Sequence, residues 1–360
     1  MKAATPRFGR CAFTVLALFT SLPLNTSAAP PPGTPLARCG DEIMVAGQLF
    51  HTGTRVVVWT DPYGYDAYRV ERRFAPFDKA DWRSTQAEVR DIGTPNRYNL
   101  RRTPELTDGD IERVRGGGWD LPLLQRVVDQ FVYHYDVCGT SRQCFKILHD
   151  MRGLSVHFML DVDGTIYQTL DLKERAWHAT TSNSRSVGIE IANMGAYGDA
   201  EKSPFADWYA KDAKGKTRLT IPERFGDGGV LTKNFAGHPR KNEPVIGTVQ
   251  GRQLTQYDFT PQQYAALARL TATLCKVFPK MKCDYPRDAA GKLVMQKLPD
   301  AELQKYEGLI GHWHIQTNKV DPGPAFDWDH IVKTARRLMR EGGIQTSRGN
   351  AAMRALFPER

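Results

Sequence analysis

Cysteine is scarce in this chain, and the cysteine spacing that binds structural zinc is missing. Its 360 residues include six cysteines, and no two of them are separated by two residues, which argues against a cysteine-ligated zinc site. The chain also lacks a nucleic-acid-binding motif, so its net charge of +9 does not indicate a nucleic-acid partner. Hydrophobic residues make up 41% of the chain and charged residues 25%, which is typical of globular proteins and excludes global disorder.

Long apolar runs are also rare, and the one near the N-terminus is too short to span a bilayer. This run, CAFTVLALFTSLPL, follows Lys2, Arg7 and Arg10 and precedes the small residues of NTSAAP. The order of basic, apolar and small residues predicts a signal peptide over residues 1–28, with a retained membrane anchor as the alternative. We therefore expect an exported protein of the periplasm or the extracellular medium, without a stable membrane span after signal removal.

The cysteines that follow the signal peptide form two closely spaced pairs. One pair encloses GTSRQ and the other encloses KVFPKMK. In an oxidising compartment each pair is predicted to form a local disulfide. The pairs are Cys138 with Cys144 and Cys275 with Cys283, and Cys39 belongs to neither.

The composition divides the rest of the chain into three parts. Residues 29–118 are predicted to be a proline-rich leader and N-terminal extension of unknown role, in which RVVVW is typical of a strand. Residues 119–342 are predicted to be the main domain, with a surface insertion at about 194–256 that is rich in Gly, Lys and Pro. Residues 343–360 form a basic tail, which indicates either a solvated face or attraction to an anionic polymer.

Strands and helices alternate in the main domain. FVYHY and RSVGIEIAN are typical of buried strands, and SVHFMLDVDGTIYQTLD is typical of a hairpin that turns at Asp163-Gly164. LPLLQRVVDQ has helical spacing, the TPQQ sequence at Thr260 is a helix start, and a last helix is expected over residues 327–340. This order predicts an α/β fold with a mixed central sheet flanked by helices.

Two polar side chains stand out in the predicted strands. His134 lies at the end of FVYHY, where a side chain can point out of the sheet into a cleft. Glu190 interrupts the apolar run VGIEIA, and a carboxylate in a core strand costs several kcal/mol unless a partner compensates it. Glu190 is therefore either one half of a buried salt bridge or a general base.

The segment GHWHIQTNKVDPGPAFDW carries a second group of candidate residues. His312 and His314 would share one face if the segment were extended, so alternation does not separate them as ligands. Asp321 precedes Pro322-Gly323 on a loop that could fold back beside the strand, and Lys319 could stabilise an oxyanion. Two neutral imidazoles and one carboxylate are ligands that suit a zinc ion with an open position.

Five ordered blocks resemble the zinc-dependent type 2 N-acetylmuramoyl-L-alanine amidases, a family that includes the peptidoglycan recognition proteins and phage lysozyme-like amidases. The blocks are FVYHYD, SVHFMLDVDGTIYQTLD, RAWHAT, SVGIEIAN and GHWHIQTNKVDPGPAFDW. The resemblance implies one Zn²⁺ held by His134, His312 and Asp321. It also implies a catalytic Glu190 and Lys319, and it places Trp177 and His178 on the wall of the substrate cleft.

The resemblance implies a hydrolase that acts on peptidoglycan or muropeptides and is expected to be monomeric. It would cleave the amide bond between N-acetylmuramic acid and L-alanine. His314 remains open as an alternative ligand and is otherwise expected to lie beside the ligands without binding the ion. A non-catalytic peptidoglycan-binding protein and a scaffold with a purely structural, four-ligand zinc site are the alternative interpretations.

Overall fold

The computed structural model describes residues 31–88 and 98–341, together with Met1. The chain divides into two units between Ala37 and Arg38, and all helices and strands described below belong to the second. Apart from Met1, the predicted signal peptide lies outside the described residues, and so does the basic tail predicted over residues 343–360. Both therefore stay predictions.

The described residues form fifteen short strands. In chain order they are β1 (Glu42–Val45), β2 (Gln48–His51), β3 (Val56–Val58), β4 (Asn99–Leu100), β5 (Gln130–Tyr135), β6 (Phe158–Leu160), β7 (Ile166–Gln168), β8 (Glu174–Arg175), β9 (Ser186–Ile191), β10 (Ala196–Tyr197), β11 (Tyr209–Lys211), β12 (Thr217–Leu219), β13 (Val245–Val249), β14 (Arg252–Gln256) and β15 (Gly308–Gly311).

Eight α-helices accompany these strands in the described residues. They are α1 (Trp82–Glu88), α2 (Asp108–Val114), α3 (Leu121–Val127), α4 (Ser141–Phe145), α5 (Phe205–Trp208), α6 (Pro261–Val277), α7 (Asp300–Lys305) and α8 (Trp328–Glu341). A π-helical turn at Lys146–Met151 continues α4, and short 3₁₀ turns lie at Phe77–Lys79, Thr180–Ser182, Glu223–Phe225 and His312–His314.

The central sheet is mixed, as the alternation of strands and helices predicts. Its six strands follow the order β15-β5-β9-β6-β7-β3. The pairs β15–β5, β5–β9, β9–β6 and β7–β3 are parallel, and only the hairpin pair β6–β7 is antiparallel. The predicted hairpin and the two predicted buried strands are therefore confirmed.

The long helices α6 and α8 pack against each other and cover one face of the sheet. Helix α6 begins at the predicted position because Thr260 and Gln263 form a reciprocal capping box with Pro261 at the first turn. Tyr133 of β5 points towards this layer, and its hydroxyl hydrogen-bonds the hydroxyl of Thr271 at 2.8 Å. Side chains that alternate with Tyr133 therefore lie on the other face, where the candidate site is.

The extension and the insertion are more closely built into this unit than the sequence predicts. Strand β3 is an edge of the central sheet, and β4 pairs with β8 of the main domain. The insertion forms a three-stranded sheet, β10-β14-β13, and a hairpin of β11 and β12. Several of its side chains, Trp208 and Leu254 among them, are fully buried. Across the described residues, no helix combines the length and apolarity that a membrane crossing requires.

Candidate active site

Two neighbouring strands place His134 and Glu190 side by side. In the parallel register of β5 and β9, His134 lies directly opposite Glu190, so both side chains project from the same face near the C-terminal ends of the strands. In open α/β sheets, ligands bind outside these carboxyl ends. The register alone thus brings a candidate ligand next to a candidate base.

The third strand of this group, β15, brings His312 to the same edge. The chain leaves β15 at Gly311 and enters the 3₁₀ turn His312–His314, and it then returns so that the Trp313 N–H donates to the carbonyl of Asp321 at 3.3 Å. The loop before Pro322-Gly323 therefore folds back beside the end of β15.

The side chains of His134, His312 and Asp321 converge on one point. The Nδ1 atoms of the two imidazoles are 3.0 Å apart, and Asp321 Oδ2 lies 2.8 Å from Nδ1 of His134 and 3.0 Å from Nδ1 of His312. All three residues are buried. In a tetrahedral zinc shell with bonds of about 2.0 Å, ligand atoms are about 3.3 Å apart, so this triangle has nearly the dimensions that a zinc ion needs.

Hydrogen bonds on the outer nitrogens direct lone pairs into this triangle. His312 Nε2 donates to Gln316 Oε1 at 2.7 Å, which leaves the lone pair on Nδ1. His134 Nε2 faces His178 Nδ1 at 3.0 Å, and Nε2 of His178 contacts the Ser186 hydroxyl at 3.3 Å. With Nε2 of His134 as the donor, the inward side of the triangle consists of acceptors, and these residues fit a bound cation.

The electrostatics favour the ligand forms of His134 and Asp321. Burial, together with the neighbouring His312, lowers the pKa of His134 to about 4, so this imidazole is neutral at neutral pH. Burial by itself would raise the pKa of Asp321, but the imidazoles of His312 and His134 outweigh it and hold the pKa below its usual range. Neutral imidazoles and an ionised carboxylate are the forms that bind metal.

Glu190 is a half-buried carboxyl group with an unused oxygen. Its Oε2 is enclosed and has no hydrogen-bond partner in the part of the chain that the structure describes. Burial, with the negative charges of Asp321 and Asp136, raises its pKa well above the ordinary value, and Lys319 acts in the opposite direction. A carboxyl group in this environment is suited to proton transfer.

A cleft of about 650 Å³ opens over these side chains. It is lined by His134, Glu190, His312, Lys319 and Asp321 together, so all five predicted metal and catalytic residues share one cavity. Arg152 and Arg175 add positive charge to its wall.

Trp177 and His178 also line the cleft, but they differ in what they contact. The guanidinium of Arg175 lies over the Trp177 ring at 4.9 Å. His178 bonds His134 rather than only facing the cavity, and Gly188 leaves room for it, because a Cβ at Gly188 would lie 2.4 Å from the His178 ring. The resemblance implies a place for His178 on the wall, and the structure adds a contact that orients a candidate ligand.

The extension supports the His178 side of the site through Arg101. This guanidinium is fully buried, and burial lowers its pKa to about 9. It donates hydrogen bonds to the backbone carbonyls of Leu172, Asn183, Ser184 and Ser186 at 2.9–3.3 Å, and its Nη2 lies 3.0 Å from Nε2 of His157. Nδ1 of His157 in turn accepts from the Gly188 N–H at 3.1 Å. Neither Arg101 nor Gln316 has a role in the predictions from sequence, although Gln316 follows His312 by four residues.

His314 has a different role from the one expected. Its Nδ1 accepts from the Gly311 N–H at 2.9 Å and its Nε2 donates to the Val294 carbonyl at 2.7 Å. Both nitrogens are thus occupied by backbone groups, and the 3₁₀ turn directs this ring away from His312. His314 is therefore neither an alternative ligand nor a hydrogen-bonding neighbour of the ligands, which corrects the sequence interpretation.

The described residues contain two further groups of ligand-type side chains. Asp136, Cys138 and Cys144 form one group beside the cleft, and the other, at Cys39, Glu42 and His51, lies at β1 and β2. Cys138 and Cys144 lie next to each other as thiols, and so do Cys275 and Cys283. The two disulfides thus stay predictions.

A mixed sheet directs two imidazoles, a carboxylate and a half-buried glutamate into one cleft, an arrangement suited to metal-assisted hydrolysis. The family model described as N-acetylmuramoyl-L-alanine amidase matches residues 124–324, which is more than half of the chain. The chain therefore belongs to this family of peptidoglycan amidases.

Individual relatives have low sequence identity to this chain. The 1,6-anhydro-N-acetylmuramyl-L-alanine amidase AmpD of Haemophilus influenzae is 21% identical over 222 residues, which cover 61% of this chain and 74% of the relative. A crystal structure of a Se-Met AmpD derivative is 17% identical, covers 69% of this chain and 94% of its own, and has a TM-score of 0.30. The amidase AmiD from E. coli, solved with anhydro-N-acetylmuramic acid-L-Ala-D-gamma-Glu-L-Lys, is 17% identical with a TM-score of 0.33 over 61% of this chain and 64% of its own.

Proposed function

We propose that this amidase is zinc-dependent and that it cleaves the amide bond between the lactyl group of N-acetylmuramic acid and L-alanine. The observation that supports the metal is the triangle of His134, His312 and Asp321, whose inner atoms are 2.8–3.0 Å apart. Zinc held by these side chains would supply a Lewis acid that lowers the pKa of a water molecule from about 15.7 towards about 7.

Glu190 is the proposed general base and then the general acid. Its carboxylate accepts a proton from the attacking water, whose oxygen forms a bond with the carbonyl carbon of the lactyl amide. When the C–N bond breaks, Glu190 returns the proton to the nitrogen of L-alanine, which leaves as an amine. The position of Glu190 directly opposite His134 supports this assignment, because it places the carboxyl beside the metal ligands.

Lys319 is the proposed stabiliser of the oxyanion. Its side chain lines the cleft, and no hydrogen bond of its ammonium group is found among the described residues. A fixed positive charge there compensates the negative charge that develops on the carbonyl oxygen. Arg152 and Arg175 are suited to bind carboxylates of the stem peptide, while Trp177 offers an apolar surface.

The two alternative interpretations have less support. A binding protein without activity is expected to lack part of the catalytic set, whereas here three candidate ligands and Glu190 meet in one cleft. A purely structural zinc site is expected to have a fourth protein ligand, and His314, the candidate named for it, is occupied by backbone groups.

Mass spectrometry of the products from purified peptidoglycan tests the proposal. We expect peptides with a free L-alanine amine, loss of this activity with a chelator, and recovery with zinc. Glu190→Gln should retain zinc and lose about 10²- to 10⁴-fold in kcat, while the exposed control Glu201→Gln should keep full activity. Undiminished hydrolysis after complete zinc removal would contradict the metal, and full activity of Glu190→Gln would contradict the base.

A further inference from the structure

The predicted insertion contains a hairpin that lies along the segment that bears two of the candidate ligands. This insertion hairpin is formed by β13 and β14, residues 245–256. The ligand segment, residues 312–325, carries His312, Lys319 and Asp321. Glutamine side chains at both ends of the hairpin bond the backbone of this segment.

Gln250 lies in the turn of the insertion hairpin and holds the first part of the ligand segment. Its Nε2 donates to the carbonyl of Trp313 at 2.8 Å and to the carbonyl of Gln316 at 3.0 Å. Its Oε1 accepts from the Lys297 N–H at 3.1 Å, so the carboxamide is held on both sides. The side chain of Gln316 accepts a hydrogen bond from His312 Nε2 and so orients this candidate ligand. By bonding the Gln316 carbonyl, Gln250 holds the backbone that carries this side chain.

Gln256 lies at the end of β14 and holds the second part of the ligand segment. This side chain is fully buried, and its Oε1 accepts from the Ala325 N–H at 2.9 Å. Its Nε2 donates to the carbonyl of Pro322, the residue after Asp321, at 3.0 Å, and also to Asn193 Oδ1 at 3.3 Å. One carboxamide thus satisfies a donor and an acceptor of the same loop, which would otherwise be buried without partners.

The backbone of the ligand segment closes tightly on this carboxamide. Gly323 has φ +86°, and a Cβ there would lie 2.1 Å from Oε1 of Gln256. Further along the hairpin, a Cβ at Gly247 would lie 2.7 Å from the Pro324 ring. Glycine at both positions permits the close approach that the two glutamine contacts need.

We propose that Gln250 and Gln256 are positioning residues for the metal site, so that the insertion serves the chemistry rather than only covering the surface. The carboxamides hold the ligand segment so that His312 and Asp321 meet His134 at the right distance. This inference rests on the proposed function for its zinc readout. Neither glutamine lines the cleft, so neither is expected to contact the substrate.

The test compares Gln256→Leu and Gln256→Glu with Gln253→Leu, a matched control on the exposed face of the same strand. Leucine removes both polar contacts at Gln256, whereas glutamate keeps the acceptor for Ala325 and loses the donor for Pro322. We expect Gln256→Leu to weaken zinc binding, measured by competition with a chelator, about tenfold or more. The kcat should fall with KM nearly unchanged, and Gln256→Glu should lie between Gln256→Leu and the wild type.

Hydrogen exchange of peptides from the ligand segment provides a readout that needs no zinc. In the zinc-free protein, Gln256→Leu should exchange faster at the amides of Gly323, Ala325 and Phe326, and Gln250→Ala should exchange faster at residues 313–317. If Gln256→Leu does not fold, the half-buried Gln250→Ala carries the test. Wild-type zinc affinity and wild-type exchange in both variants would overturn the inference, whereas a wild-type chain that binds no zinc would overturn the proposed function instead.

Discussion

Two groups of ligand-type side chains border the same cleft, and they differ in what surrounds their donor atoms. The imidazole cluster consists of His134, His312 and Asp321. The outer nitrogens of both rings are hydrogen-bonded, so the inner nitrogens carry lone pairs that point towards each other and towards the carboxylate. In the thiol cluster, Asp136, Cys138 and Cys144, the atoms are also close enough for a metal, but one oxygen of Asp136 and the sulfur of Cys138 already contact backbone groups. Both clusters thus have closely spaced donor atoms, but only the imidazole cluster presents them in the form that binds a metal.

Atoms of the thiol cluster contact nearby backbone groups. Asp136 Oδ1 accepts from the N–H groups of Cys138, Gly139 and Asn193 at 2.9–3.1 Å, so this oxygen caps a turn. Burial raises the pKa of the Cys144 thiol well above 9.0, which disfavours the thiolate that a metal needs. Cys138 Sγ lies 3.0 Å from the carbonyl of Asp136. We therefore expect the thiol cluster to be structural and the imidazole cluster to hold zinc.

The largest expected effect separates the two clusters directly. Asp321→Ala should lose stoichiometric zinc and all measurable amidase activity, because it removes one of three ligands and the charge that balances the ion. Cys144→Ser should retain one zinc per chain. Metal analysis by mass spectrometry after dialysis measures both. Zinc lost from Cys144→Ser and kept in Asp321→Ala would reverse the comparison.

The second expected effect concerns the room that Gly188 leaves for His178. Gly188→Ala places a Cβ 2.4 Å from the His178 ring, so the ring has to move and its contact with His134 Nε2 is lost. Loss of such an outer hydrogen bond typically costs about 10- to 100-fold in metal affinity. Chelator competition measures it. Gly198→Ala is the matched control, because a Cβ there is 3.7 Å from its nearest neighbour, and equal affinities for the two variants would contradict the role of His178.

Gln316→Leu tests the outer contact of His312 and should have a similar or smaller effect on zinc affinity, because part of this side chain is exposed to solvent that can replace it. Gln316→Glu keeps an acceptor for His312 Nε2 and should restore the affinity. Rescue by glutamate and not by leucine distinguishes orientation of the imidazole from simple packing. A leucine variant with wild-type zinc affinity would show that the His312 ring needs no outer partner.

The sequence predicts the inner residues of the site better than its supports. His134 and Glu190 are visible because a polar residue in an apolar strand needs an explanation, and Asp321 is visible because it precedes Pro-Gly. His312 and His314 are not separable in sequence, since the 3₁₀ turn that points their rings apart is a product of tertiary packing. Supports such as Arg101 bond mainly backbone groups, and backbone groups carry no mark in the sequence.

Prediction of the fold is likewise accurate for local features and fails for features that depend on distant contacts. The start of α6 is predicted to the residue because the capping box of Thr260 and Gln263 is local. The strands of the insertion are missed, because β10 and β14 are short and gain their order from contacts with each other and with the ligand segment. The extension likewise shows a strand in RVVVW, but the partner of that strand, β7, is more than a hundred residues away.

The smallest expected effect is a change in stability from His157, which is connected to the imidazole cluster only through the backbone of Gly188. Burial, with the nearby charge of Arg101, lowers the pKa of His157 to about 3. Its Nδ1 accepts from the Gly188 N–H, so Nε2 carries the proton and donates to the Glu174 carbonyl at 2.9 Å. Protonation of Nδ1 would break the bond that holds the strand beside His178.

The sign of the pH effect follows from the two states of His157. In the unfolded chain the pKa is about 6.5, so between pH 6.5 and about 3 the unfolded state binds a proton that the folded state does not. The free energy of unfolding should therefore fall as the pH is lowered through this window. His157→Asn keeps an acceptor for the Gly188 N–H and has no titrating group. Its free energy of unfolding should therefore fall less steeply with falling pH, and the difference in slope should correspond to about one bound proton. Urea unfolding of the zinc-free wild type and variant at pH 7, 6 and 5 measures this slope, and identical slopes would show that His157 is not held neutral by the fold.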